Sequence, residues 1–455
     1  MAAAPPLIFC MKTSLFCVAA VVLCGRFALA DPAPPQGFSA LFNGRDLSGW
    51  RGGTTFDHRA LMEMPEAERE AKIAKWTADL GGHWTTQNEE LVNDGKGSYA
   101  TTEKDYGDFE LLLEYKTVPG ADSGIYLRGV PQVQIWDSTQ PDGGKLGREK
   151  GSGGLWNNPP GSPGKDPLVL ADKPFGEWNQ VRVVMVGSRV SVWLNGKQTV
   201  DHALLANYYD RSSKDAAIRS NPRPVPRTGP IQLQTHGGEI RWRNIFLREI
   251  GGEEANRILS EHNRAGLDWK SLFNGTDLTG WQGPVDNYEA VDGAIRCKPG
   301  KGGVLHTAQE FSNFRARVQF KLPPGGNNGL AIRYPGKGDT AYVGMCELQV
   351  LDDSAPRYAK LDPRQYHGSV YGMVAAFRGY QRPVGEWNFQ DVTVEGSRIR
   401  VELNGTVIVD ADVAAVTEFA GNKSHPGKDR TTGFFGFAGH GDAVMFRAVE
   451  IAELK

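Results

Sequence analysis

The sequence predicts an all-β protein made of two tandem antiparallel sandwiches, and three observations carry that prediction. The phrase Leu41-Phe42-Asn43-Gly44-Arg45-Asp46-Leu47-Ser48-Gly49-Trp50 returns as Leu272-Phe273-Asn274-Gly275-Thr276-Asp277-Leu278-Thr279-Gly280-Trp281, with only Arg/Thr and Ser/Thr exchanged. Both copies then run through short segments of period-two alternation bounded by Gly, Asn, Asp and Pro, the pattern of half-buried strands. Asn195-Gly196 and Asn404-Gly405 close equivalent runs, and Asn-Gly is the type I′ hairpin signal. Many short strands with little helix point to a sandwich or jelly roll.

The elements follow in order along the 455 residues, a length that exceeds one core and suits two domains. Residues 1–30 read as a signal peptide: Lys12, an apolar run from Leu15 to Cys24, then Ala28-Leu29-Ala30 before Asp31. The reading implies export to the periplasm or beyond. Leu23 is bulkier than the residue that a lipid-anchor motif wants before Cys24. Repeat 1 spans 31–250 and repeat 2 spans 268–455.

The offset between copies starts at 231 and falls to 204 by Trp84/Tyr288, which locates a 27-residue insertion at 54–80, in repeat 1 only. Within it, Met64 to Trp76 carries an early proline, early acids and later bases, so it reads as a surface helix. Extra residues also fall in repeat 2 between Arg333 and Glu347. The segment 251–267 joins the repeats, and Glu253 to Arg264 reads as a helix that limits their relative freedom. Both helices are expected to pack against a sheet edge or a neighbour.

Charge and cysteines narrow the function. A formal charge of −2 with acids and bases interspersed leaves no basic field for nucleic acid or anionic lipid. Beyond the leader, only Cys297 and Cys346 remain, too few for a zinc site or a disulfide framework, and either bridged or free. No stretch after the leader is long and apolar enough to span a bilayer. The sequence has no Gly-x-Ser-x-Gly elbow, Walker A, His-Glu-x-x-His or dinucleotide glycine fingerprint, which removes the serine hydrolase, nucleotide-dependent and zincin readings.

Alternation sorts the side chains by face. In repeat 1 it sets Tyr126 and Arg128 opposite Ile125 and Leu127, puts Gln132, Gln134 and Trp136 on one face, and turns Gln232, Gln234 and His236 away from Ile231 and Leu233. Amides, an arginine, a histidine and aromatics on one sheet face suit a saccharide, with planar polar groups for vicinal hydroxyls and rings for the C–H side. In repeat 2 the matching positions hold Arg333, Glu347, Gln349, His367, Tyr371 and His440, while Gln234 becomes Ala438. Glu347, His367 and His440 can move protons or hold a divalent cation, so repeat 2 reads as reactive and repeat 1 as binding. Asp137 and Asp352 end their strands and read as turn caps.

Both repeats resemble the 3-keto-disaccharide hydrolase family, also described as 3-keto-glycoside lyase/hydratase domains. The residues that carry the resemblance are the opening Leu-Phe-Asn-Gly-x-Asp-Leu-x-Gly-Trp, Ser123 to Arg128, Gln132 to Asp137, Glu347 to Asp352, the two Gly-Glu-Trp-Asn and Leu-Asn-Gly phrases, and Ile231 to His236 continuing to Arg243-Asn244-Ile245. The resemblance implies two concanavalin A-like lectin/glucanase jelly rolls. It also implies cleavage of 3-keto-glycosides: removal of the acidified proton on carbon 2, expulsion of the group on carbon 1, then hydration. Glu347, His367, His440 and Arg333 would be catalytic, with a divalent metal as an optional electrophile; spacing assigns neither acid nor base. Gln349, Tyr371, Tyr126, Arg128, Gln132, Gln134, Trp136, Gln234 and His236 would bind substrate. The family's Glu-x-Gln pair survives only in repeat 2 and its Leu-Gln-x-His ending only in repeat 1. A non-catalytic lectin-like module and a protein-binding scaffold are the alternative readings.

Overall fold

The opening phrase of each repeat folds on itself, which is why it is repeated. Asn43 Oδ1 accepts the Arg45 and Asp46 amides at 2.8 and 2.9 Å, and Asn274 Oδ1 accepts those of Thr276 and Asp277 at the same distances. The indole N–H of Trp50 then donates back to Leu41 O at 2.7 Å, and that of Trp281 to Leu272 O at 2.9 Å. Asn and Asp side chains mimic a backbone turn here, and the Trp locks it to the strand edge.

The structure, a computed structural model, describes Met1 and residues 33–140, 144–262, 264 and 266–455. The leader therefore lies outside the described residues. Among those described, each repeat pairs an eight-stranded antiparallel sheet with a five-stranded one. The five-stranded sheet of repeat 1 runs Trp50–Gly53, Tyr99–Thr102, Gln232–Leu233, Asp122–Leu127, Val130–Trp136. That of repeat 2 runs Trp281–Gln282, Gly303–Phe311, Gly433–Gly439, Asn327–Tyr334, Cys346–Leu351. This is the all-β double jelly roll that the alternation predicts. Asn195-Gly196 and Asn404-Gly405 have positive φ at both residues, as a type I′ turn requires.

Each sandwich encloses its own core, Leu111, Val183, Ile125, Val133 and Trp242 among others in repeat 1, and Phe314, Val392, Leu330, Leu348 and Phe437 in repeat 2. Each such side chain contributes roughly 1.5–3 kcal/mol on burial. Cys297 and Cys346 are both free and buried, and burial pushes both thiols up.

The insertion forms helices His58–Glu63 and Glu66–Leu80. The second lies on the edge strand, where the Thr77 hydroxyl accepts the Gly52 amide at 3.0 Å. Only glycine fits at 52, since a Cβ would stand 2.1 Å from the Trp76 carbonyl carbon. The joining helix, Gly252–Glu261, buries Ala255 and Leu259 with Val186, Ile250 and Phe389, an apolar bridge from one repeat to the other. Beside it Arg189 forms a buried bidentate pair with Glu402, Nε to Oε1 at 2.9 Å. Among the described residues no helix is long and apolar enough to cross a membrane.

Candidate active site

In repeat 2 the outer face of the five-stranded sheet opens into a cavity of about 150 Å³, lined among others by Asn327, Asp339, Tyr342, Glu347, Gln349, Gln365, Tyr371 and His440. Strand register explains the opening. Ala331 pairs with Glu347 on one side and Gly436 on the other, whereas in repeat 1 the same row sets Tyr126 against Gln232. Two bulky side chains are replaced by a methyl group and a hydrogen. The floor is glycine for a second reason: a Cβ at Gly329 would fall 2.1 Å from Glu347 Oε1, so the carboxylate lies flat across the sheet.

Glu347 Oε1 stands 3.7 Å from His440 Nε2. Burial pushes the Glu347 carboxyl up, and His440 partly offsets this. The imidazole is raised in turn, first by its interaction with Glu347, against partial burial. Both shifts run the same way, so each group holds its proton more readily than it would alone in water. A buried carboxyl of raised pKa facing an imidazole can take and give protons. Gln349 Nε2 donates to Asn327 Oδ1 at 2.9 Å, keeping a second N–H for the cavity. Gln365 Nε2 donates to the Tyr371 hydroxyl at 2.8 Å, which leaves the phenol proton free to donate.

Of the predicted catalytic set, Glu347 and His440 therefore meet and two residues do not. His367 is buried on the core side, tilted against Phe320 at 4.9 Å, with burial pushing its imidazole down to about 3. Its Nδ1 accepts the Leu351 amide at 3.3 Å. Arg333 is also buried, and its guanidinium donates to the carbonyls of Ser312, Gly396 and Arg430 at 2.8 Å. Arg128 in repeat 1 likewise donates to the Gly107 and Gly187 carbonyls, and to the Asp108 carboxylate at 2.9 Å. Both arginines have positive φ (54° and 48°) beside a break in register. That bulge cancels the alternation that set them on the saccharide face. They clamp loops.

Much of the binding array of repeat 1 spends its polar groups internally, while the side-chain oxygens of Gln232 and Gln234 are buried without a hydrogen-bond partner. The Gln132 amide donates to Gln134 Oε1, and Gln134 Nε2 to Asp122 Oδ1 at 2.8 Å. Tyr126 is buried, with its hydroxyl 2.8 Å from Thr55 of the insertion. Trp136 is buried with its indole N–H on Gly151 O and its ring edge-on to Trp156, and Gln234 is buried beside them on the sheet. His236 is exposed, its Nδ1 3.2 Å from Asp122 Oδ2. Asp137 and Asp352 are turn caps: Asp137 takes the Gly120 and Thr139 amides, Asp352 those of Gly325 and Ser354.

Several cavity residues escape sequence reasoning. Asp339 and Tyr342 come from the segment that repeat 2 alone carries, and that count was the available signal. Asn327 begins its strand where repeat 1 has Asp122. Among the described residues no three His, Cys, Asp or Glu side chains converge as metal ligands would.

Residues 37–248 and 268–452 each match the model of the 3-keto-alpha-glucoside-1,2-lyase-like domain, and the chain belongs to that family. It is also similar to the 3-keto-disaccharide hydrolase of Bacteroides thetaiotaomicron, 26% identical over 225 residues, 40% of this chain and 78% of that one. Among solved structures it is similar to a candidate glycosyl hydrolase from Parabacteroides distasonis (26% identity, TM-score 0.37, 41% of this chain and 100% of that one). A carbohydrate-binding module from Bacillus subtilis is a further likeness, at 14% identity and TM-score 0.21, covering 40% of this chain and 94% of that one.

Proposed function

We propose that the protein is an exported enzyme that cleaves 3-keto-glycosides in the cavity of repeat 2, while repeat 1 binds or positions saccharide. The observation that carries this reading is the pairing of Glu347 with His440 at 3.7 Å on the cavity wall. A ketone on carbon 3 acidifies the proton on carbon 2. Glu347 takes that proton, the electrons form the enolate and then the carbon 1–carbon 2 double bond, and the bond from carbon 1 to the glycosidic oxygen breaks. The His440 imidazolium gives its proton to the leaving oxygen. Water then adds across the double bond, so the net change is hydrolysis. The free N–H of Gln349 and the phenol proton of Tyr371 are donors for the enolate oxygen.

Export rests on the composition of residues 1–30, and amino-terminal sequencing of secreted protein, expected to begin at or near Asp31, checks it. The activity is tested by incubating the full chain with a 3-keto-disaccharide and with the parent disaccharide. Release of the two monosaccharide units from the keto form alone is expected. Binding of the keto sugar without turnover would identify a lectin-like module instead, and cleavage of the unoxidised sugar would overturn the elimination chemistry.

A further inference from the structure

Tyr371 is tied to the Glu347 strand through its backbone: its own amide donates to Glu347 O at 2.9 Å, and the next amide, that of Gly372, donates to Arg364 O at 2.9 Å. Its place in the cavity wall is therefore fixed. What remains open is the direction of its proton, since a phenol can give a hydrogen bond or take one and its O–H turns about the carbon–oxygen bond.

Gln365 settles that direction. It ends the short turn Pro363–Gln365 in a capping box, where the Asp362 carboxylate accepts the Arg364 amide at 2.9 Å and the Gln365 side-chain oxygen accepts the Asp362 amide at 3.2 Å. A backbone N–H only donates, so the atom that meets Asp362 is the oxygen, and the atom 2.8 Å from the Tyr371 hydroxyl is the amide nitrogen. That nitrogen only donates in turn. The phenol oxygen accepts, and its own proton takes the other place in the ring plane, where no further partner meets it among the described residues.

Repeat 1 has no such arrangement. The offset of 215 that matches Trp156 to Tyr371 sets Lys150 in the place of Gln365; Lys150 pairs with Asp166, and the Trp156 indole N–H is spent on Leu146 O at 2.9 Å. The pairing belongs to the copy that carries Glu347.

Resting on the reading of this cavity as the site of elimination, we infer that Gln365 is a positioning residue: its amide, fixed by the capping box, keeps the Tyr371 proton turned to the substrate, as a hydrogen bond for the ketone oxygen that becomes the enolate. The phenol lends that hydrogen bond and keeps its proton. A donor already aimed at the place where charge develops has no turning to do when the reaction occurs.

The test measures kcat and KM of the full-length protein on a 3-keto-disaccharide with Gln365 changed in two ways. Gln365→Glu keeps the shape and the capping box, because one carboxylate oxygen still accepts the Asp362 amide, but the other oxygen accepts as well and draws the Tyr371 proton away from the sugar. Gln365→Leu breaks the capping box and leaves the phenol proton free to take either place. Orientation makes Gln365→Glu the worse of the two: kcat is expected to fall about tenfold or more there and about two- to threefold in Gln365→Leu, with KM within about twofold in both. A merely structural role reverses that order, since only Gln365→Leu disturbs the turn. Tyr371→Phe separates orientation from the added charge, because it has no phenol proton to misdirect, and in that background Gln365→Glu should cost less than about twofold. The reversed order, an unchanged kcat in Gln365→Glu, or an equal loss with and without the Tyr371 hydroxyl would overturn the inference and leave the proposed activity standing. If the natural protein does not turn over the 3-keto-disaccharide, the proposed activity fails and this inference with it.

Discussion

Two rows of side chains, one on each five-stranded sheet, occupy equivalent places and do different things. In repeat 1 the row reads Arg51, Thr101, Gln232, Tyr126, with Gln132 beyond the bulge. In repeat 2 it reads Gln282, His306, Gly436, Ala331, Glu347. Repeat 1 fills its row and ties it off, Tyr126 to Thr55 and Gln132 to Gln134. Repeat 2 empties the middle of the row and puts an ionisable group at its end. Between two copies of one scaffold, the cavity thus goes with the smaller side chains, and the ionisable group with a carboxylate where the other copy has an amide. His306 shares the row, yet it lies three strands from Glu347, about 14 Å at the usual strand spacing, and it packs on Phe434 instead.

The largest effect should come from undoing that exchange. Glu347→Gln restores the side chain of repeat 1, keeps the shape and removes the charge, so turnover of a 3-keto-disaccharide should fall at least about a hundredfold. Steady-state kinetics on the full chain check this. An unaltered rate would mean that the carboxylate is not the difference that matters between the repeats.

Refilling the cavity comes next. Ala331→Tyr installs in repeat 2 the residue that repeat 1 carries, but without the Thr55 partner, which belongs to an insertion that repeat 2 lacks. Its ring must then occupy the space the sugar needs, and an increase in KM of roughly tenfold or more is expected, larger than any change in kcat. An unchanged KM, in a variant whose circular dichroism is unaltered, would place the sugar elsewhere.

These rows also show what the sequence could carry. Glu347, Gln349, Tyr371 and His440 were legible because period-two alternation holds along their strands or because the repeats align through them. Arg128 and Arg333 were misplaced for a local reason: a single positive φ at each turns the side chain out of the alternation, and nothing in the residue names announces it. His367 lies in a connection, where alternation has no force, and the Ser152 that it matches gave no sign that a larger side chain there would turn to the core. Asp339 and Tyr342 have no counterpart in repeat 1, so aligning the copies could mark their segment and not their direction. The hairpins and the two cores were legible throughout, since each rests on contacts between near neighbours or on strict alternation.

Coupling between Glu347 and His440 gives a smaller and more diagnostic effect. A base must be deprotonated, so kcat/KM falls as pH drops through the pKa of Glu347, and burial sets that acid limb above the ordinary carboxylate range. His440 lowers the Glu347 pKa, against the larger effect of burial. Removing it in His440→Ala should therefore move the acid limb to higher pH, besides costing rate through loss of the proton donor. The pH profile of kcat/KM separates the two consequences, because a purely structural role would lower the curve without displacing it.

The smallest effect is expected at the histidine of repeat 1. His236 matches His440 in sequence, but its side chain is 63% exposed and its neighbour is Asp122, which already accepts Gln134 Nε2 at 2.8 Å. An exposed pair of this kind is worth about 0–1 kcal/mol, so His236→Ala should leave the fold intact. Its carboxylate partner stays engaged with Gln134. What the imidazole offers is a hydrogen-bonding rim for a saccharide, and its loss should weaken sugar binding by about two- to fivefold, more than it lowers kcat. Calorimetric titration with a sugar, set beside the kinetics, reads the two separately. If His236→Ala abolished turnover while Glu347→Gln left it whole, the assignment of chemistry to repeat 2 and of binding to repeat 1 would have to be exchanged.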